Sequence, residues 1–398
     1  MSDTKRTRNL TPLYCLHQAA YFFAMAGTSA FAVTYLMTLG FDAAMIGVIL
    51  ASTNLLSCTL QPIIGSYVDK HSISMLHRIV PAFLIAAMAG FGAVELLHLH
   101  RFFTGLLYIA GSLSFSITIP LCNALCAYYA QNGWQINYAA GSGVGSLSFS
   151  FASLGFGYLI AYVGPSAMIF IVLVCLALQL VIVRRYPKVH DDRPAHSAAA
   201  QDSSSLSMAG FIRRYRMFML TMLGIVLLSA CHAMAENYLI QVFERIGGGS
   251  EDVGITLFLA CITAAPFMLL FERIQKRISI VVLIRLSGVF YAAKALLLVW
   301  SPSIPFVYMV GLLQTFTYAF MYPSLYYLAL ARIAPRDMAK GQAIAASSFV
   351  LGMAIGNSLG GIVMEAAGLS VMLTLAAGIA AAGTLLINLA IVRRDIRE

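Results

Sequence analysis

Runs of about 20 apolar residues, the length at which a helix crosses the hydrocarbon core of a bilayer, recur along nearly the whole of this sequence. They fall at roughly 11–38, 44–66, 79–97, 103–129, 137–163 and 166–183, then at roughly 217–242, 252–272, 279–300, 304–331, 341–365 and 369–392. Composition agrees. Only 10% of the residues are charged and 60% are hydrophobic, whereas a soluble domain carries about a quarter charged residues on its water-facing surface. Spanning strands do not fit, because the runs are continuous and no ten-residue alternation is present. The expected fold is an all-α membrane protein of twelve transmembrane helices.

The twelve runs divide six and six around residues 184–216, a segment basic at both ends and rich in Ser, Ala, Asp and Pro between them. It reads as a cytoplasmic linker. The expected organisation is therefore an N-terminal six-helix bundle over 11–183, the linker over 184–216 and a C-terminal bundle over 217–392. The first run is too long for a signal-peptide core and is read as a membrane helix. With the N-terminus in the cytoplasm, 22 of the 25 Lys and Arg residues fall on the inner side, Arg101 and Arg245 fall outside, and Lys294 is left within a span. The positive-inside rule thus gives an N-in, C-in topology.

The two halves echo each other. Tyr108-x-x-Gly111 opens the fourth run with Pro120 beyond it, and Tyr308-x-x-Gly311 opens the tenth with Pro323 beyond it. The fifth run closes on Gly157 to Gly164 and the eleventh on Gly361 to Gly368, at the same spacing. Matches at equivalent places in a six-plus-six layout are what a duplicated transporter predicts, with bundles related by pseudo-symmetry.

The net charge of +9 is distributed as topology signals between apolar runs, so no nucleic-acid partner is expected. The seven cysteines lie within apolar runs, with no metal-ligand spacing. No phosphate loop or catalytic triad is present. The expectation is no enzyme activity, no cofactor and no bound metal.

The loop after the second run, Gly65-Ser-Tyr-Val-Asp69-Lys70, resembles the G-x-x-x-D-R/K signature of the major facilitator superfamily. That resemblance implies a gating role for Gly65, Asp69 and Lys70, with the Asp in a cytoplasmic charge network; a solvated loop charge is the alternative. Within the superfamily the chain resembles the lactose-permease-like branch of oligosaccharide, nucleoside and aromatic-acid proton symporters. The segments that carry this likeness are Pro120-Leu-Cys-Asn123, Ile136-Asn-Tyr138, Gly143-Val-Gly-Ser-Leu-Ser-Phe149 and Gly247-Gly-Gly-Ser250. Aligned residue by residue, the branch's sugar-holding Arg falls at Ser142 and its stacking aromatic at Phe149. Its proton-handling His and Glu fall at Tyr318 and Met321. A span-nine Arg falls at Lys294, a span-seven Asp at Glu236 and the partner Lys of that Asp at Phe349. Most of the proton and galactoside machinery is therefore replaced.

The residues themselves point to one site. An ionisable group within a bilayer costs about 2.5–3.5 kcal/mol on insertion scales and usually faces a cavity or a partner. Glu236 lies in His232-Ala-Met-Ala-Glu236-Asn237, where His232 shares its helix face, and Lys294 lies at similar depth on another outward-running span. Glu236 is expected to bind substrate or a proton with Lys294 or His232 as partner, with Asn237 beside it; an ion pair that only fixes packing is the alternative. The tenth run carries Gln314, and its Tyr318, Tyr322 and Tyr326 repeat every four residues as a stripe along one face, suited to a ring-bearing solute, or to core packing or an interfacial belt. His17, Gln18 and Tyr21 in the first run and Asn123 and Ser142 in the fourth and fifth are further polar candidates.

The function expected from these features is secondary transport of a small organic solute (sugar-, nucleoside- or aromatic-acid-like) by alternating access, with proton symport as the leading coupling. A facilitator, an efflux exporter or a non-transporting receptor are the alternatives. The expected setting is the inner (cytoplasmic) cell membrane, with membrane lipid, the solute and protons as partners and the chain as a monomer.

Overall fold

A computed structural model of the chain describes residues 9–69, 75–97, 99–187, 208–334 and 337–395. Apart from an isolated bridge between Asn9 and Gln135, the regular structure of these residues is helical. Among the described residues eleven helices are long and apolar enough to cross a membrane, and Thr11–Ala30 with Ala32–Thr38, bent by 53°, makes a twelfth span with a π-helical turn over Ala26–Ala30.

Spans 2 to 6 are Ala43–Asp69, Leu76–Leu96, Arg101–Gln131, Tyr138–Tyr162 and Pro165–Arg185. Residues 188–207, most of the expected linker, lie outside the described residues, and its last part forms a short helix, Met208–Arg214. Span 7 is Arg216–Asn237 extended by Leu239–Arg245, span 8 Ser250–Leu269 and span 9 Ile280–Trp300. Span 10 comprises Ile304–Gly311, Leu312–Thr315 and Tyr318–Arg332, and spans 11 and 12 are Met338–Ala367 and Leu369–Asp395.

Local chemistry sets several of these boundaries. The Asn137 side chain accepts from the Ala140 N–H at 3.0 Å and caps span 5. Asp252 accepts from the Gly249 N–H at 2.9 Å at the start of span 8. Gly164 and Gly368 end spans 5 and 11 with φ of +113° and +85°, a region where a side chain clashes with its own backbone. The paired Gly motifs of the sequence thus become paired left-handed turns.

By contact the chain forms two compact units, one of Met1–Phe31 and Thr59–Ala200, the other of Ala32–Cys58 and Gln201–Glu398. The boundaries expected from span order, 11–183 and 217–392, keep spans 1 and 2 whole, whereas the contact units divide both. In the first unit, span 1 packs along spans 5 and 6, and span 3 along spans 4 and 6. The second repeats this pattern: span 7 packs along spans 11 and 12, and span 9 along spans 10 and 12. Small residues make the close approaches possible. A Cβ on Gly27 would sit 2.7 Å from Val172 on span 6, and one on Gly224 would sit 2.6 Å from Ile387 on span 12.

Candidate functional site

Two spans of the second unit lose their regular helix within the span. Span 7 stops at Tyr238, with φ −102° and ψ 21°, directly after Glu236 and Asn237. Span 10 tightens into a 3₁₀ turn over Leu312–Thr315 and resumes at Tyr318 beyond Thr317, with φ −90° and ψ −86°. The sequence there favours a break, because Thr315, Phe316 and Thr317 are poor helix formers. The Thr317 hydroxyl also donates locally to the Gln314 carbonyl at 3.3 Å, competing with the backbone ladder.

These breaks frame a charged cluster. The Lys294 ammonium donates to the Glu236 carboxylate, forming an ion pair, and to the Gln314 Oε1 at 2.9 Å. The Lys294 and Glu236 side chains are only 6% and 12% exposed. At about 1.5 Å per residue, the three positions lie roughly 9–15 Å inside the outer ends of their spans. A buried pair of this kind holds its geometry because separating the charges there is costly.

An aromatic ladder runs beside the cluster. The His232 ring, one turn before Glu236, stacks on Tyr318 with centroids 5.6 Å apart and planes 20° apart. Tyr318 stacks in turn on Tyr322 at 5.2 Å and 19°. Tyr291 meets His232 edge-on at 5.7 Å, and Phe349 of span 11 meets the edges of Tyr318 and Tyr322 at 5.9 and 5.5 Å. Tyr322 remains 47% exposed, so the ladder ends on an accessible ring face. Together the two groups bring a cation, a carboxylate, an amide and stacked rings to one place.

The structure thus brings Glu236, Lys294, Gln314, His232, Tyr318 and Tyr322 together. Asn237 faces elsewhere: its amide donates to the Asn357 side-chain oxygen on span 11, and the Asn357 backbone carbonyl accepts from the Tyr238 hydroxyl at 3.0 Å. The remaining candidates belong to the first unit. Asn123 accepts from the Tyr14 hydroxyl and from the Gln18 amide, both at 3.2 Å, and Gln18 also donates to Tyr14 at 2.6 Å. Tyr21 is buried and stacked on Phe115 at 4.5 Å. Ser142 and Phe149 are half-buried on span 5. Gly65 lines a small cavity of about 60 Å³ with Gln61 and Pro120. The Asp69 side chain and Lys70 lie outside the described residues.

Several participants, Tyr291 among them, are not among the sequence candidates. Phe349 carries no polar signal of its own, although the family resemblance places a partner Lys at its position; its ring packs on Tyr318 and Tyr322. Asn357 is a lone amide in a Gly-rich helix, a signal for helix–helix hydrogen bonding. Tyr14 sits one turn before Gln18, at the spacing of helix-face neighbours.

Comparison with known proteins agrees with this architecture. The model of the MFS_1 like family matches residues 14–374. A maltose permease from Geobacillus stearothermophilus is 25% identical over 319 residues, covering 80% of this chain and 76% of that protein. Among solved structures, the nucleoside transporter NupG superposes with a TM-score of 0.79 at 16% identity, covering 96% of this chain and 99% of that one. A POT family transporter in complex with 5-aminolevulinic acid gives 0.70 at 11% identity, covering 95% of each chain. The twelve spans, their duplicated packing and the matched family model together show that the chain belongs to the MFS_1-like family of the major facilitator superfamily, a family of multi-pass secondary transporters of small organic solutes.

Proposed function

We propose that this transporter is a proton symporter of a small, polyhydroxylated, ring-bearing solute of the sugar or nucleoside class, with Glu236 as the proton site and Lys294, Gln314 and the Tyr318–Tyr322 stack as solute contacts. The supporting observation is the convergence of Glu236, Lys294 and Gln314 at the breaks of spans 7 and 10. Discontinuous helices of this kind form solute and ion sites in secondary transporters.

The coupling follows from the ion pair. While Glu236 is ionised, its carboxylate occupies the Lys294 ammonium. A proton on Glu236 cancels that attraction and turns the acid into a hydrogen-bond donor, so the ammonium is free to donate to a solute oxygen. Solute then binds the protonated protein better than the deprotonated one, and by linkage the solute strengthens proton binding equally. Access alternates when the loaded site favours a different arrangement of the bundles. The names of the relatives, a maltose permease and a nucleoside transporter, fit the same solute classes. In this reading the protein works as a monomer in the cytoplasmic (inner) membrane and carries no catalytic chemistry.

The test is a thermal-shift panel of sugars, nucleosides and aromatic acids on the purified protein, followed by uptake of the stabilising compound into proteoliposomes. An acidic exterior is expected to accelerate uptake of a sugar or nucleoside. Stabilisation by none of the three classes, or uptake indifferent to the gradient, contradicts the reading.

A further inference from the structure

A cavity in the second unit lies apart from the Glu236 cluster. It has a volume of about 410 Å³ and is lined by Arg214, Tyr215 and Arg216 at the start of span 7, by Leu328 and Arg332 at the end of span 10, and by Ala390 near the end of span 12. These are the helix ends that the distribution of Lys and Arg assigns to the cytoplasm. Span 7 enters its apolar stretch at Arg216, and the apolar stretches of spans 10 and 12 end at Arg332 and Ala390. The cavity therefore lies at the level of the inner-leaflet headgroups.

Its lining is divided chemically. Three arginines contribute to it, and no carboxylate pairs with Arg214, Arg216 or Arg332 among the described residues. The nearby acid, Asp337, is buried and accepts from the Tyr215 hydroxyl at 3.0 Å. That hydroxyl accepts in turn from the Ala334 N–H at 3.2 Å, so Tyr215 is fixed, with the Arg214 guanidinium 5.8 Å from its ring centroid. Met217, Phe218 and Leu328 form an apolar part of the lining, with Thr221 beside them. The adjoining helix Met208–Arg214 buries Phe211 but leaves Met208 and Ile212 55% and 46% exposed beside Arg213 and Arg214. Apolar side chains flanked by arginines describe a helix seated in a membrane interface.

We infer that this cavity binds the phosphate headgroup of an anionic glycerophospholipid of the cytoplasmic leaflet. The arginines hold the phosphodiester by charge-assisted hydrogen bonds, and the apolar wall takes the glycerol and the upper acyl carbons. A soluble phosphate ester would meet the same arginines but would leave that apolar wall uncovered. Basic pockets between spans on the cytoplasmic side are suited to such lipids.

Native mass spectrometry of the delipidated full chain tests this with phosphatidylglycerol, phosphatidylcholine and glycerol 3-phosphate as probes. One tightly held phosphatidylglycerol is expected, with phosphatidylcholine held far more weakly. At about 1 kcal/mol per basic residue, Arg216→Gln and Arg332→Gln each weaken phosphatidylglycerol about fivefold, whereas Arg273→Gln, in another cytoplasmic loop, does not. On the unmodified protein, phosphatidylglycerol should also slow amide hydrogen exchange over residues 208–221, independently of how any variant folds. Equal retention of the two lipids, unchanged affinity in both variants, no added protection over 208–221, or displacement of the lipid by equimolar glycerol 3-phosphate overturns the assignment.

Discussion

Glu236 on span 7 and Lys294 on span 9 form an ion pair within the second unit, with 12% and 6% of their side chains exposed. Lys294 also reaches the Gln314 amide oxygen of span 10 at 2.9 Å, so one ammonium ties three spans together. That arrangement makes separate predictions for stability and for transport.

Removing one charge strands the other. Lys294→Met leaves a buried carboxylate without its partner and should lower stability by about 3 kcal/mol. The double change Glu236→Gln, Lys294→Met removes both charges and should recover most of that loss. Thermal unfolding in detergent reads the difference, and uptake should stay lost in the double variant, because a structural tie can be replaced whereas a binding pair cannot.

Gln314 donates no charge, so its removal is milder. Gln314→Ala leaves Lys294 bonded to Glu236 and should cost about 1 kcal/mol of stability. The expected kinetic signature is a raised KM for solute with a smaller change in maximal rate. An unchanged KM would remove Gln314 from the solute contacts.

Tyr318 lies between His232 and Tyr322 in the ring ladder. Tyr318→Phe keeps both stacks and should retain folding with weakened solute affinity if its hydroxyl contacts the solute. Tyr318→Leu loses both stacks, each worth about 0.5–1.5 kcal/mol, and should lower the melting temperature as well. Comparing the two variants separates the hydroxyl from the ring.

The duplicated turns make a symmetric prediction. Gly164→Ala and Gly368→Ala each force a side chain into a positive-φ conformation, at a cost of about 1–2 kcal/mol. No atom lies within 4 Å of a Cβ at either position, so the cost is conformational and should be alike at both. Matched thermal shifts would support the repeat, and strongly unequal ones would point to different local packing.

Span number was legible in the sequence because apolar run length reports directly on the bilayer. The Glu236–Lys294 pairing was legible for a related reason: two opposite charges at one depth in a low-dielectric medium have few other partners. What residue spacing could not reveal was which way a side chain turns when two neighbouring helices compete for it. Asn237 adjoins Glu236 in sequence yet bonds to Asn357. The tyrosine stripe is also only partly a ladder, since Tyr318 and Tyr322 stack whereas Tyr326 is 53% exposed and meets Tyr327 edge-on. Among the span 5 glycines, Gly141 and Gly145 receive the rings of Tyr14 and Phe22, but Gly143 and Gly155 face open space. The break of span 10 at Leu312–Thr315 falls beside poor helix formers and is accompanied by Thr317 bonding back to Gln314, a contact that run length and hydropathy do not report.

The role of Glu236 is tested most directly by solute-driven proton entry into proteoliposomes, read with a pH-sensitive dye enclosed in the lumen, using the compound that most stabilises the purified protein. The unmodified protein should acidify the lumen when that compound is added outside, and Glu236→Gln should not, while still exchanging internal for external solute. Acidification by Glu236→Gln at the unmodified rate would contradict the assignment of the proton to this carboxylate.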